Sequence, residues 1–166
     1  TRALAPLREQ LEQLSDDVHT LAYRRHPSLL EHAGLRPAVE EHVHQVSRRT
    51  GLPIHLKILD VPDAVPLDQA TCLFRVMQES VQNVVKHAQA TTVTVQLRGS
   101  SKGVGLSVID NGRGFDSQDL RTHQQGLGLS SMEERLRQLH GFFRIQSRSS
   151  HGTKVCAWVP CKVEVS

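Results

Sequence analysis

The residues Asp110-Asn111-Gly112-Arg113-Gly114 set a carboxylate at the end of an alternating apolar run and follow it with two glycines. Val104, Leu106, Val108 and Asp110 share one parity, so a strand here predicts that the carboxylate faces the covered side of its sheet. A carboxylate in that position is costly unless something hydrogen-bonds to it. Glycines directly after it let the backbone take positive φ or lie close against a flat ligand. The chemistry on offer is acceptance of a hydrogen bond from a ring amine. The same five residues also describe a strand that ends in an ordinary Asp/Asn/Gly turn.

Two further groups of residues could do chemistry. On a helix predicted to reach about His87, the residues Leu73, Val76, Met77, Val81, Val84 and Ala88 form an apolar face. Glu79, Asn83, Lys86 and His87 fall on a separate stripe about 100° wide. Glu79 and Asn83, four apart, offer the oxygen ligands that hard Mg²⁺ prefers, often with substrate phosphates completing its shell. Lys86 and His87 lie one turn further on, where they could meet phosphate oxygens. A solvated polar face would show the same spacing.

Gly126-Leu127-Gly128-Leu129 then runs into a predicted helix carrying Ser130, Ser131, Glu133 and Glu134. Ser130 with Glu133, or Ser131 with Glu134, has capping-box spacing. Glycines before a helix N-terminus leave N–H groups and a positive dipole end available to an anion. Ser131 stands where a dinucleotide-binding fingerprint would need its third glycine, and no Walker A loop is present. Thr153, after Gly152, shares parity with Val155, Ala157 and Val159, so its hydroxyl is expected on the covered side with Asp110. Each group taken singly has a plain structural explanation. A ligand with an amine-bearing ring, two or three phosphates and Mg²⁺ would use all of them in order, and ATP is that ligand.

These residues need elements to position them. Leu7, Leu11, Leu14, Val18 and Leu21 recur at three- and four-residue steps, predicting a helix from about Leu4 to Arg24 with a narrow seam suited to another helix. His26-Pro27 breaks it, Leu29 to Gly34 reads as a connector, and Leu35 to Arg49 as a second helix ending at Thr50-Gly51. Beyond Gly51 the texture changes. Ile54, Leu56 and Ile58 alternate as a strand, a loop runs from Pro62 to Pro66, and the long helix opens at Pro66 and Asp68. Thr92 to Arg98 and Val104 to Asp110 read as a hairpin around Gly99 to Gly103. A polar stretch without periodicity from Asn111 to Gln125 is long for a structureless loop and fits a lid. A helix from about Leu127 to Leu139 and strands Phe142 to Ser147 and Thr153 to Val159 complete the order. Hairpins dominate and no βαβ alternation is evident, which predicts an α+β fold with helices on one face of a mixed, mostly antiparallel sheet. Residues 1–51 form a helical segment in this reading, and residues 52–166 form the ligand-binding domain.

Length and composition narrow the classes. The 166 residues suit one core with a helical appendage, and 4% aromatics imply a core of Val, Leu and Ile. A net charge of +3 with scattered Lys and Arg argues against a nucleic-acid partner. Cys72, Cys156 and Cys161 form no CxxC pair, so a reduced, cytoplasmic compartment is expected. No run of membrane-spanning length and no signal peptide is evident. His42 and His44 lie two apart in a helix, on nearly opposite sides, so they are not expected to share a metal.

In order and spacing, Glu79 to Asn83 with Lys86-His87-Ala88, Asp110-x-Gly112-x-Gly114, Gly126-x-Gly128 and Gly152-Thr153 resemble the N, G1, G2 and GT boxes of the Bergerat ATP-binding (GHKL) fold. Sensor histidine kinases, DNA gyrase, MutL-type repair proteins and heat-shock chaperones share it. The stretches from Val76 to Ala88 and from Gly126 to Arg135 are most similar to sensor histidine kinases of the nitrate/nitrite-sensor-like subgroup. The resemblance covers residues 52–160, and more weakly Leu21 to Gly51 as the end of a dimerisation region.

The resemblance implies a two-layer α/β sandwich and a role for each box. Asn83 would ligate Mg²⁺, with Glu79 assisting through the metal or as a base. Lys86 and His87 would contact phosphates, Asp110 would bind the adenine amine helped by Thr153, and Gly112 and Gly114 would line the base. Gly126, Leu127 and Gly128 would cap the phosphates at the hinge of a lid. The γ-phosphoryl group would pass to a histidine on a phosphoacceptor helix, for relay to a response regulator. The parent would be a homodimer and could be membrane-anchored. In that family an acidic residue follows the acceptor histidine, and none of the ten histidines here precedes Asp or Glu. The acceptor is therefore expected outside this chain, which reads as a fragment, and the family's separate F box is absent as well. Other readings on the same fold are an anti-sigma-factor-like serine kinase, another ATPase, or an ATP-dependent interaction module.

Overall fold

The computed structural model describes residues 28–115 and 127–161, with only the backbone path given for 127–130. The helix expected between Leu4 and Arg24 lies outside the described residues.

Helix α1 spans Ser28–Ala33, where a connector was expected. Six residues are too short to show periodicity, but Leu30 drops into the core at 2% exposure and its carbonyl accepts the Gly34 N–H at 3.2 Å. Helix α2, Leu35–Thr50, buries Leu35, Ala38, Val39, Val43 and Val46 on one stripe. It ends where Gly51 turns left-handed at φ 72° and donates its N–H to the Ser47 carbonyl at 2.9 Å, a conformation that costs glycine no Cβ clash.

Strand β1, Ile54–Leu59, alternates half-buried and exposed residues as its sequence predicts. Helix α3, Leu67–Asn83, buries Ala70, Leu73, Phe74, Val76, Met77, Ser80 and Val81, and Asp68 in its first turn complements the helix dipole. The single helix expected to reach His87 changes pitch: Val84–Ala88 forms a π-helical turn, and Gln89 ends it at φ 52°. The widened turn delivers the Ala88 carbonyl to the Arg113 N–H at 2.8 Å.

Strands β2, Val93–Ser100, and β3, Gly103–Asp110, pair antiparallel with Ser100 opposite Gly103. The hairpin turn is therefore Ser101-Lys102 alone, tighter than the five-residue turn expected from Gly99 to Gly103, because strand pairing continues through both glycines. Helix α4, Leu127–Gln138, leads to β4, Phe142–Ser147, and β5, Thr153–Pro160.

The sheet order is β1-β2-β3-β5-β4. Every pair is antiparallel except β1 with β2, so β1-α3-β2 is one βαβ crossover that the hairpin-rich sequence concealed. The helices cover one face, where Val95, Leu97, Val104, Leu106, Val108, Ala157 and Val159 join Leu73, Phe74, Met77 and Leu136 in a single core. Leu35, Val39 and Val43 of α2 belong to that core as well. No described helix is long and apolar enough to cross a membrane.

Candidate functional site

Asp110 stands at the last position of β3 and is 5% exposed, on the covered face with Val104, Leu106 and Val108. The chain turns at once, and the Gly112 N–H donates to Asp110 Oδ1 at 2.8 Å, the one hydrogen bond to this carboxylate among the described residues. Gly112 is required by crowding: a Cβ there would lie 2.3 Å from the Ala88 carbonyl oxygen. Gly114 has φ 57°, and a Cβ on it would meet the Arg148 carbonyl oxygen at 2.2 Å. The two glycines thus seat the turn between the end of the α3 helix and the β4–β5 turn.

The asparagine inside the motif holds that seat in place. Asn111 Oδ1 accepts the N–H groups of Thr91 and Thr92 at 3.0 Å each, and its amide donates to Thr91 Oγ1 at 2.8 Å. The end of β3, the π-helical turn and the entry to β2 are therefore bound together. Gly152, at φ 77°, presses its α-carbon against the Asp110 carbonyl, where a Cβ would sit 2.0 Å from the oxygen.

Thr153 opens β5. Ile109 pairs with Lys154, so one step further along the ladder Thr153 lies across from Asp110, on the same face. On its other side Thr153 pairs with Ser147, and the two hydroxyls are 2.9 Å apart. Ser147 Oγ also donates to the Gly152 carbonyl at 3.1 Å and accepts the Phe115 N–H at 3.0 Å. Sequence reasoning passed over Ser147 and Asn111. Ser147 shares parity with Phe143 and Ile145, and that was the available signal.

Glu79 and Asn83 lie one turn apart at the C-terminal end of α3, both half-buried, and Lys86 and His87 are exposed on the π-helical turn. Ala88 ties this helix end to Gly112 and Arg113, so the oxygen-bearing stripe and the buried carboxylate border the same corner. Gly126 lies outside the described residues, as does 116–125 of the expected long loop. Leu127 and Gly128 form the first turn of α4. Because the helix already starts at Leu127, Ser130 and Ser131 sit a turn inside it. Glu133 and Glu134 reach forward to Arg137, at 3.2 and 3.6 Å, in place of the expected capping boxes.

No group of three or more His, Cys, Asp or Glu able to hold a metal occurs among the described residues. His42 packs edge-on against Phe74, ring centroids 5.6 Å apart, and burial, with a smaller contribution from Arg49, lowers its pKa to about 4. All three cysteines are free, and burial pushes the Cys72 thiol up to about 11. The described residues also line two surface hollows. One of about 360 Å³ is lined by Leu52, Pro53, Val85 and Gln89, and one of about 650 Å³ by Arg36, Glu40, His44 and Leu56.

Residues 68–163 match the family model of histidine kinase-, DNA gyrase B- and HSP90-like ATPases. The sensor histidine kinase MctS of Rhizobium johnstonii is 32% identical over 153 residues, covering 92% of this chain and 33% of the relative. The nitrate/nitrite sensor protein NarX of Escherichia coli K12 is 35% identical over 126 residues, covering 76% of this chain and 21% of the relative. The chain thus spans a third or less of these relatives.

Among solved structures, the Erythrobacter litoralis EL346 blue-light activated histidine kinase superposes with a TM-score of 0.65 at 21% identity, covering 94% of this chain and 51% of that one. The ATP-binding domain of PrrB from Mycobacterium tuberculosis gives 0.55 at 20% identity, covering 75% and 92%. These two likenesses establish the fold. The family match extends over more than half of the sequence and includes Asp110, its glycines and Thr153, so this chain belongs to the histidine kinase-, DNA gyrase B- and HSP90-like ATPase family.

Proposed function

We propose that this chain is the ATP-binding catalytic domain of a sensor histidine kinase, and that it transfers the γ-phosphoryl group of ATP to a histidine outside these residues. The observation that carries the reading is the buried Asp110 carboxylate, held by the Gly112 N–H in the turn where the chain leaves the sheet. A buried acceptor of this kind is costly without a partner, and a ring amine is a fitting one. Asp110 then receives the adenine amine, Thr153 assists it, and Gly112 and Gly114 let the backbone lie along the base.

The phosphates extend toward the end of α3. The donor set there suits a hard cation: an amide oxygen at Asn83 and a carboxylate at Glu79, one helical turn apart. Asn83 would hold Mg²⁺, with Glu79 assisting, and the bound ion would neutralise charge on the phosphates. Lys86 and His87 would contact phosphate oxygens, and Gly126, Leu127 and Gly128 would cap them. Phosphoryl transfer asks a protein mainly for positioning and charge stabilisation. The bonds from Asn111 and Ala88 serve the first need by fixing the adenine end against the metal end.

The relatives are sensor histidine kinases, which supports a response regulator as downstream partner, an acceptor helix as the immediate one, and a homodimeric parent. The helical segment 1–51 would be the end of the parent's dimerisation region, leading into the ATP-binding unit 52–166.

Titration of the chain and its Asp110→Ala variant with a fluorescent ATP analogue and Mg²⁺ tests the reading. Loss of a hydrogen bond to a charged group predicts affinity lower by about 10- to 100-fold. Equal affinity in the two proteins would remove Asp110 from the site.

A further inference from the structure

We propose that Ser147 is a positioning residue for base selection: it takes up the proton of Thr153, so that Thr153 presents lone pairs alone to the ligand and the pocket accepts a 6-amino purine while repelling a 6-oxo one. This rests on the ATP reading above and names what tunes that site.

A serine hydroxyl has one proton and two lone pairs. Ser147 Oγ has three neighbours: the Phe115 N–H at 3.0 Å, the Gly152 carbonyl at 3.1 Å and Thr153 Oγ1 at 2.9 Å. The Phe115 N–H can only donate and the Gly152 carbonyl can only accept. One arrangement puts a proton in every gap, with Phe115 donating to Ser147, Ser147 to Gly152 and Thr153 to Ser147. The reverse, with Ser147 donating to Thr153, would leave two oxygens facing each other 3.1 Å apart with no proton between them.

With its proton committed, Thr153 turns acceptor lone pairs toward the corner it shares with Asp110, its neighbour across the ladder. An exocyclic amine has two N–H donors and satisfies both acceptors. A carbonyl at the same ring position would set oxygen against oxygen.

Binding of ATP and of inosine triphosphate by the full chain, its Ser147→Ala and Ser147→Thr variants, and Thr153→Val tests the assignment. In Ser147→Ala, Thr153 regains a free proton it can donate to a 6-oxo group. The preference for ATP over inosine triphosphate is then expected to fall about tenfold, the worth of one hydrogen bond. Release of the Phe115 N–H would weaken both nucleotides alike and leave the ratio unmoved. Ser147→Thr keeps the hydroxyl and should keep the preference. Adding Ser147→Ala to Thr153→Val should change the ratio no further, because the two act as a unit. A ratio unchanged in Ser147→Ala, whether affinities fall together or stay put, overturns the role of Ser147 and leaves the ATP reading standing. If the unaltered chain binds neither nucleotide, both fall. Should Ser147→Ala fail to fold, the Thr153→Val ratio decides: no change there overturns the proposal equally.

Discussion

Two neighbouring rows on the covered face of the sheet have opposite characters. The inner row runs Leu56, Val95, Val108, Val155, Ile145 across all five strands, entirely apolar and packed under the helices. The row one step toward the strand ends runs Ile54, Val93, Asp110, Thr153, Ser147 and becomes polar after its second member. Backbone geometry is nearly the same in both. The difference is the supply of hydrogen-bond partners: at the strand ends the chain turns back, and the Gly112 and Phe115 N–H groups and the Gly152 carbonyl come within 2.8 to 3.1 Å of side chains. In the inner row Val95, Val108 and Val155 lie on central strands with a paired strand on each side. In this sheet the polar side chains of the covered face stand where the turning backbone offers them partners.

Moving the polar character one row inward is the strongest way to break this comparison. Val108→Asp would set a carboxylate at 2% initial exposure with no amide to receive it. A loss of at least about 4 kcal/mol in unfolding free energy by urea titration is expected. A loss below about 1 kcal/mol would show that position, not partner supply, governs the contrast.

His42 sharpens the same point away from the sheet, as a half-buried titratable group set against an aromatic ring. Its pKa is lowered from 6.5 to about 4, so the folded state holds it neutral while the unfolded chain takes up a proton sooner. Its contribution is therefore intact above pH 6.5 and lost as pH falls from there to about 4, amounting to about 2–3 kcal/mol. Unfolding measured at pH 7 and pH 4.5 should show that decline in the unaltered chain and a shallower one in His42→Leu. Equal slopes would mean that other groups carry the acid sensitivity.

Gly112→Ala is the smallest of these changes. Its Cβ meets the Ala88 carbonyl, so the turn must shift, at a cost of about 1–3 kcal/mol. Since the shift moves the amide that holds Asp110, nucleotide affinity should fall with stability. Thermal unfolding and titration together check this, and an affinity loss without destabilisation would mean that the contact with Ala88 is not rigid.

The faces that Asp110 and Thr153 occupy were legible in the sequence. Parity placed Asp110 and Thr153 on the covered face because a strand alternates sides at every residue, and nothing in tertiary packing can change that without a bulge. The helix carrying Glu79 and Asn83 was legible from its apolar stripe. The βαβ crossover was not, since strand direction depends on where a neighbour lies and not on the residues of β1 or β2. The π-helical turn after Asn83 escaped as well: the periodicity of Val84 and Ala88 fits either pitch, and the choice shows only where the Ala88 carbonyl meets Arg113. Helix α1 was too short to announce itself.

Sequence by itself therefore determined which residues face inward, where the glycines allow close approach, and the order in which Glu79 and Asn83, Asp110 with its glycines, and Thr153 follow one another. Those are local properties, set by the period of each element and by the missing Cβ. Only the tertiary structure decided that Asp110, Thr153 and Ser147 form one row, that Asn111 clasps the entry to β2, and that the Ser147 proton belongs to Gly152. Phe115 and Ser147, 32 positions apart, share a hydrogen bond only after three strands lie side by side, and strand order and register are properties of the whole sheet.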